Sequence, residues 1–168
     1  MSRILEVNDL TLSTPDGRKL FQNLNLSLDA GELLHVQGEN GSGKSTLIKS
    51  ILGFYHHYDG KISMHFKNER VSYLPQLGNV QFLLPLVIKD VVRFKIKSSE
   101  EEITKFGLID QESLERPWNT SSGGERQKAL LTRSLLFPSD LLILDEPFNH
   151  LDTRSKELVS LKISEVLT

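Results

Sequence analysis

The sequence predicts an α/β protein whose core holds a mainly parallel sheet, with an antiparallel β lobe at its N-terminus and a small helical lobe. Three observations carry this reading. The first thirty residues alternate apolar and polar positions at period two, as half-buried strands do. A glycine-rich segment, Gly38 to Thr46, separates an apolar run from a helical stripe. The second half then returns to an apolar strand, Leu141 to Asp145, followed by an amphipathic stretch from Thr153 to Leu167. Strands alternating with helices imply a parallel sheet. With 168 residues there is room for one domain with a sizeable core. We expect a β lobe over 1–32, a core over 33–76 and 126–168, and a helical lobe over 77–125.

Within the β lobe, Leu10 and Leu12 form one period-two run, and Leu24, Leu26 and Leu28 another. Pro15-Asp16-Gly17 lies between them as a turn signal, and Asp29-Ala30-Gly31 marks the next turn. The apolar run Leu33-Leu34-His35-Val36 is expected to be the first core strand. Leu47, Ile48, Ile51 and Leu52 share one face of the helix that follows. Asp59-Gly60 precedes an expected strand from Lys61 to Phe66, and Val71 to Leu74 reads as another, ending at Pro75. In the middle, Ile88 to Phe94 and Glu100 to Phe106 are helical in pattern. Ser98 and Ser99 stand three residues before Glu101 and Glu102, so the glutamate run opens a helix through a capping box. A further helix is expected from Glu125 to Phe137.

Net charge of −2 and a pI near 6.2 provide no basic footprint, so no nucleic-acid partner is expected. No apolar run approaches a membrane span, and the N-terminus lacks the apolar centre of a signal peptide, which makes a cytoplasmic location the expectation. There are no cysteines, so disulfide and thiol chemistry are excluded for this sequence.

The chemistry is concentrated in two places. Gly38-Glu39-Asn40-Gly41-Ser42-Gly43-Lys44-Ser45-Thr46 has a glycine, four residues, then Gly-Lys-Ser, between an expected strand and an expected helix. That context defines a phosphate-binding loop and a P-loop NTPase core. Glycines let successive N–H groups converge on an anion, Lys44 can reach the terminal phosphates, and the Ser45 hydroxyl suits Mg²⁺. Far along the chain, Asp145 and Glu146 end an apolar strand. Asp145 could hold Mg²⁺ through its water shell, and Glu146 could polarise the water that attacks a γ-phosphate. Ser121 to Gln127 opens a helix with Ser122, Gly123 and Gly124. That is either a second anion site or a helix cap after a loop. His56 and His57 read as surface-loop residues, and Trp118 as packing for the helical lobe.

In this order, these pieces resemble the ATP-binding subunit of an ABC transporter, over nearly the whole chain. Residues 38–46 are similar to its Walker A motif and 141–146 to its Walker B motif. Gln76 resembles the Q-loop glutamine, Ser121 to Glu125 the family signature, and Asn149-His150-Leu151-Asp152 the D-loop. The resemblance implies ATP and Mg²⁺ as ligands, with the metal served by Ser45, Gln76 and Asp145. It assigns catalysis to Glu146 and Gln76. It implies a homodimer or heterodimer of ATP-binding domains, in which Ser122, Gly123, Gly124 and Glu125 serve the nucleotide of the facing subunit. A separate transmembrane subunit would be the mechanical partner, placing the chain on the cytoplasmic face of the membrane. Tyr73-Leu74-Pro75-Gln76 and the segment Leu84 to Val92 are similar to importers of metal ions or chelates, and an exporter fits the motifs nearly as well.

Departures from the family pattern set further expectations. Thr14 stands where the family has an aromatic residue stacked on adenine, which implies weaker or less purine-selective binding. Ser121 replaces a leucine and is expected to loosen the helix entry slightly. The sequence ends sixteen residues past Asp152, before the strand that carries a γ-phosphate histidine in the family. A C-terminal part of the core is therefore expected to be missing, or its slot filled by another element, with slow hydrolysis if this chain is complete. Two other functions fit the motifs: a soluble ABC ATPase acting in assembly, and an ATP-binding regulatory subunit with little hydrolysis. The 101 positions from Lys44 to Asp145 leave no room for the long coiled coil of the DNA-repair relatives.

Overall fold

A computed structural model describes residues 2–66, 70–76 and 82–166. The chain separates into two compact units, residues 1–70 and 71–168. Expectations at 67–69, 77–81 and Leu167 fall outside the described residues.

In the first unit, β1 (Arg3–Ser13) lies between β2 (Lys19–Asp29) and β3 (Tyr58–Met64), antiparallel to both. The apolar side chains of β1 explain its central place. Leu5, Val7, Leu10 and Leu12 are all essentially inaccessible to solvent. Their spacing switches from odd to even positions, so a strict period of two cannot hold throughout. The switch occurs at Asp9, whose φ of 48° and the register shift around it mark a bulge. Asn25 holds that bulge from β2, accepting the Asp9 N–H at 2.9 Å and donating to the Asp9 carboxylate at 3.1 Å. β3 starts at Tyr58 rather than at Lys61, so Gly60 lies inside the strand, against the same bulge. The expected turn at 15–17 is present, closed by the Thr14 N–H donating to the Arg18 carbonyl at 2.8 Å.

The expected strand at Leu33 to Val36 is not formed. The segment joins no ladder among the described strands, and Leu33, Leu34 and Val36 are exposed. A strand is defined by its neighbour, and high apolar content without an adjacent partner does not make one. The helix behind the loop does form: α1 (Lys44–Ile51) buries Leu47 and Ile51 on the expected stripe.

In the second unit, β4 (Val71–Leu74) and β5 (Leu141–Leu144) pair in parallel, Val71 opposite Leu141 and Leu74 opposite Leu144. Around them lie α2 (Ile88–Arg93), α3 (Glu100–Phe106), α4 (Gln111–Leu114), a 3₁₀ turn (Trp118–Thr120), α5 (Gly123–Leu136) and α6 (Thr153–Val166). α3 starts as the capping box requires: Ser99 Oγ accepts the Glu102 N–H while the Glu102 carboxylate accepts the Ser99 N–H. One core serves all these elements. Leu74, Ile88, Val92, Ile103, Leu114, Trp118, Leu131 and Val159 are buried in a single cluster. Each such aliphatic side chain contributes about 1.5–3 kcal/mol on burial. Trp118 packs here against Phe82, ring centroids 5.7 Å apart, as its packing role requires.

Candidate functional site

The glycine-rich segment Gly38 to Thr46 lies in the first unit. Gly43 caps α1 with φ of 97°, a left-handed conformation that costs a side-chain-bearing residue about 1–2 kcal/mol. A Cβ there would also press on Phe21 at 3.0 Å and Leu20 at 3.1 Å. Glycine at this position thus meets two demands at once. It leaves α1 without a side-chain cap, so the N–H groups of its first turn have no such acceptor. An exposed helix start with free donors is an anion site. The Lys44 ammonium lies over the curl, donating to the carbonyls of Gly38 and Glu39, each at 2.8 Å. Ser42 tightens it by donating its N–H to the Glu39 carbonyl. Gly38 to Thr46 are therefore organised as one loop, with Ser45 and Thr46 in the first turn of α1.

Gln76, Asp145 and Glu146 lie in the second unit, brought together by the β4–β5 pairing. The Asp145 N–H extends that ladder to the Leu74 carbonyl at 2.9 Å, which places Gln76 and Glu146 just past adjacent strand ends. Gln76 Nε2 donates to Glu146 Oε2 at 2.8 Å. Asp145 is buried, whereas Gln76 is exposed. Burial pushes the Tyr73 hydroxyl above its ordinary range, and the Asp145 carboxylate adds to the shift. A buried carboxylate at the strand end thus stands next to a half-buried one.

Ser122 to Glu125 form a reciprocal cap on α5. Ser122 Oγ accepts the Glu125 N–H at 3.2 Å, and the Glu125 carboxylate accepts the Ser122 N–H at 2.8 Å. Arg116 pairs with the same carboxylate. Both Ser122 groups are thus committed to the cap, and Gly123 and Gly124 carry the first-turn N–H groups that no described residue engages. These glycines also admit His150, whose ring would lie 3.3 Å from a Cβ at position 123. Ser121 is anchored rather than loose: it is buried and its hydroxyl donates to the Pro117 carbonyl at 2.9 Å.

The loop after β5 contains hydrogen bonds to Glu146 that the sequence motifs alone did not assign. Glu146 and His150 both take positive φ, 53° and 62°. Asn149 donates its side-chain amide to Glu146 Oε2 and its backbone N–H to the Glu146 carbonyl. Gln127, buried on α5, holds the same loop by donating to the Pro147 carbonyl at 2.9 Å. Asn149 lies in the segment that resembles the D-loop, but that resemblance does not say which group its amide meets.

Residues 21–149 match the family model described as ABC transporter. The chain belongs to the ABC transporter family. Its similarity extends to zinc import ATP-binding protein ZnuC of Wolbachia pipientis, 30% identical over 164 residues, covering 92% of this chain and 65% of that protein. The ZnuC 1 protein of Aliivibrio fischeri is 34% identical over 158 residues, covering 93% of this chain and 61% of that protein. This chain thus spans less than two thirds of the length of these relatives. Among solved structures, one described as a metal-chelate type ABC transporter in an inward-facing conformation matches with a TM-score of 0.78 at 26% identity. That match covers 99% of this chain and 69% of that one.

Within this ABC family chain, Thr14 is committed to its turn, its hydroxyl accepting the Arg18 N–H and donating to the Arg18 carbonyl, both at 3.1 Å. No helix among the described residues is long and apolar enough to cross a membrane. Nor do three or more His, Asp or Glu side chains among them gather as a metal cluster, His56 and His57 included.

Proposed function

We propose that this chain is the ATP-binding and ATP-hydrolysing part of an ABC transporter that takes up metal ions or metal chelates through a separate membrane-spanning partner. The observation that carries the reading is the Lys44 ammonium poised over an uncapped helix start, in a chain of this family. Two such chains would face one another on the cytoplasmic side of the membrane, each completing the other's site. The importer assignment follows the names of the ZnuC relatives.

The residues fit Mg²⁺ and ATP. Glycine at position 38 leaves room within the curl, where a Cβ would lie 2.8 Å from Ser42 Oγ, and a buried carboxylate stands at Asp145. Mg²⁺ keeps its waters and takes one or two protein oxygens plus phosphates, which a serine hydroxyl and one carboxylate can supply. Ser45, Asp145 and Gln76 are the residues that would hold it, and bound Mg²⁺ would neutralise charge on the phosphates. Lys44 and the α1 N–H groups orient the triphosphate. Glu146 accepts a proton from the attacking water, and Gln76 holds the Glu146 carboxylate. Gly123 and Gly124 offer N–H groups to the nucleotide of the facing subunit, with Ser122 and Glu125 fixing that helix start.

The test compares ATP turnover and ATP binding in the purified protein, Lys44→Ala and Glu146→Gln. Lys44→Ala is expected to weaken ATP binding at least about tenfold, one charge-assisted contact being worth about 1.5–3 kcal/mol. Glu146→Gln should bind ATP as well as the parent while turning over at least about 10²-fold more slowly. Equal turnover with and without the Glu146 carboxylate would exclude hydrolysis at this site.

A further inference from the structure

Two side-chain amides hold the Glu146 carboxylate, one from each of two separate segments. Gln76 Nε2 and Asn149 Nδ2 both donate to one oxygen, Oε2. Oε1 accepts no hydrogen bond from any described residue. The backbone supports the arrangement: the Asn149 N–H closes a turn on the Glu146 carbonyl at 3.2 Å, and positive φ at Glu146 and His150 brackets that turn. Left-handed backbone at a non-glycine residue persists only where surroundings hold it. Here the surroundings are visible: the Gln127 amide on Pro147 and the His150 ring against Gly123.

We propose that Asn149 is a positioning residue for Glu146, fixing Oε2 so that Oε1 is the oxygen that accepts the proton from water. The inference rests on the hydrolytic reading of Glu146 given above. A carboxylate bonded through one oxygen loses its rotation about the terminal bond, and its free oxygen points in one direction. Misplacing a reacting group by about 1 Å costs up to about 10²-fold in rate. Two amide donors on one oxygen also leave the proton only one site to go to. In balance, water gives its proton to Glu146 Oε1, and its oxygen bonds phosphorus as the bridging oxygen to ADP leaves.

The test is a steady-state series on the purified protein with Asn149→Leu, which keeps the side-chain size but donates nothing, and Asn149→Ser, a smaller donor. Asn149→Leu is expected to lower kcat about tenfold or more while KM and Kd for ATP stay within about twofold, the pattern of a contact that matters only during the reaction. Asn149→Ser should lie between it and the parent. In a Glu146→Gln background, where the base is gone, Asn149→Leu should change kcat no further. Unchanged kcat in Asn149→Leu, or an equal loss in both backgrounds, would overturn the positioning role and leave the hydrolytic reading standing. Turnover indifferent to Glu146→Gln would instead remove the hydrolytic reading, and the positioning role with it. The thermal midpoint of each variant separates a folding defect from a rate effect. A cycle of Asn149→Ala and Glu146→Ala should show non-additive midpoints, whereas additivity would mean that the contact is absent.

Discussion

A Cβ placed on Gly60 would lie 2.6 Å from the carbonyl oxygen of Asp9 and 2.7 Å from that of Asn8. Both obstacles are backbone atoms of the central strand, so no side chain can swing aside. The φ of 101° at Gly60 adds strain for any other residue. Gly60→Ala is therefore expected to cost about 1–3 kcal/mol, read as a lower midpoint in thermal or urea unfolding. An unchanged midpoint would mean that the bulge at Asp9 relaxes freely.

The same pair shows where sequence reading stops. Asp-Gly is a turn signal, and the sequence alone places Gly60 outside the strand. The deciding fact is a bulge on β1, a tertiary feature with no local signature. Leu33 to Val36 fail for the opposite reason: the local signal for a strand is strong, yet no described strand lies alongside. Capped helices were legible, because caps are local: Ser99 with Glu102 sets the start of α3, and α3 spans the expected residues. In the candidate site, fixed spacing singles out Lys44, and the Asp-Glu pair ending an apolar strand singles out Glu146. The contact between Asn149 and Glu146 was not legible, because it is made in a turn bracketed by two left-handed residues that carry no local signature.

The start of α5 invites a capping test. Ser122→Ala removes the acceptor for the Glu125 N–H and is expected to destabilise by about 1 kcal/mol, or about 2–4 °C in a domain of this size. Ser122→Thr keeps the acceptor and should lose no more than a few tenths. Circular dichroism melts of the two variants check the difference. An equal loss in both would assign the effect to packing rather than to the hydrogen bond.

Glu125 links this cap to pH. Its carboxyl is held below its ordinary value of 4.5, first by the Ser122 backbone N–H, then by the Ser122 side chain, with Arg116 adding to the shift. The folded state therefore binds the proton less readily than the unfolded chain. The stability that results is complete above about pH 4.5 and is lost as the pH falls through the lower folded value. Glu125→Gln keeps a side chain of capping size without the charge. It should melt below the parent at pH 7, and the gap should narrow below about pH 4. A gap that stays constant from pH 7 to pH 3 would show that ionisation of Glu125 contributes nothing.

Thr14 offers the last test, because two demands compete at one residue. The resemblance places a stacking aromatic there, whereas the structure gives the Thr14 hydroxyl two hydrogen bonds to Arg18 that close the turn. Stacking on a base is worth about 1–3 kcal/mol, against a net of about 0.5–1.5 kcal/mol for an exposed hydrogen bond. Stacking wins on binding, and the turn loses a little stability. Thr14→Tyr is accordingly expected to bind ATP about fivefold or more tightly than the parent and to melt slightly lower. Thr14→Val, which loses the hydroxyl and gains no ring, should melt lower without tighter binding. Titration with ATP and GTP checks both, the tyrosine variant preferring ATP more strongly. If Thr14→Tyr binds no more tightly than Thr14→Val, the base does not lie over position 14 and some other side chain of the first unit must face it.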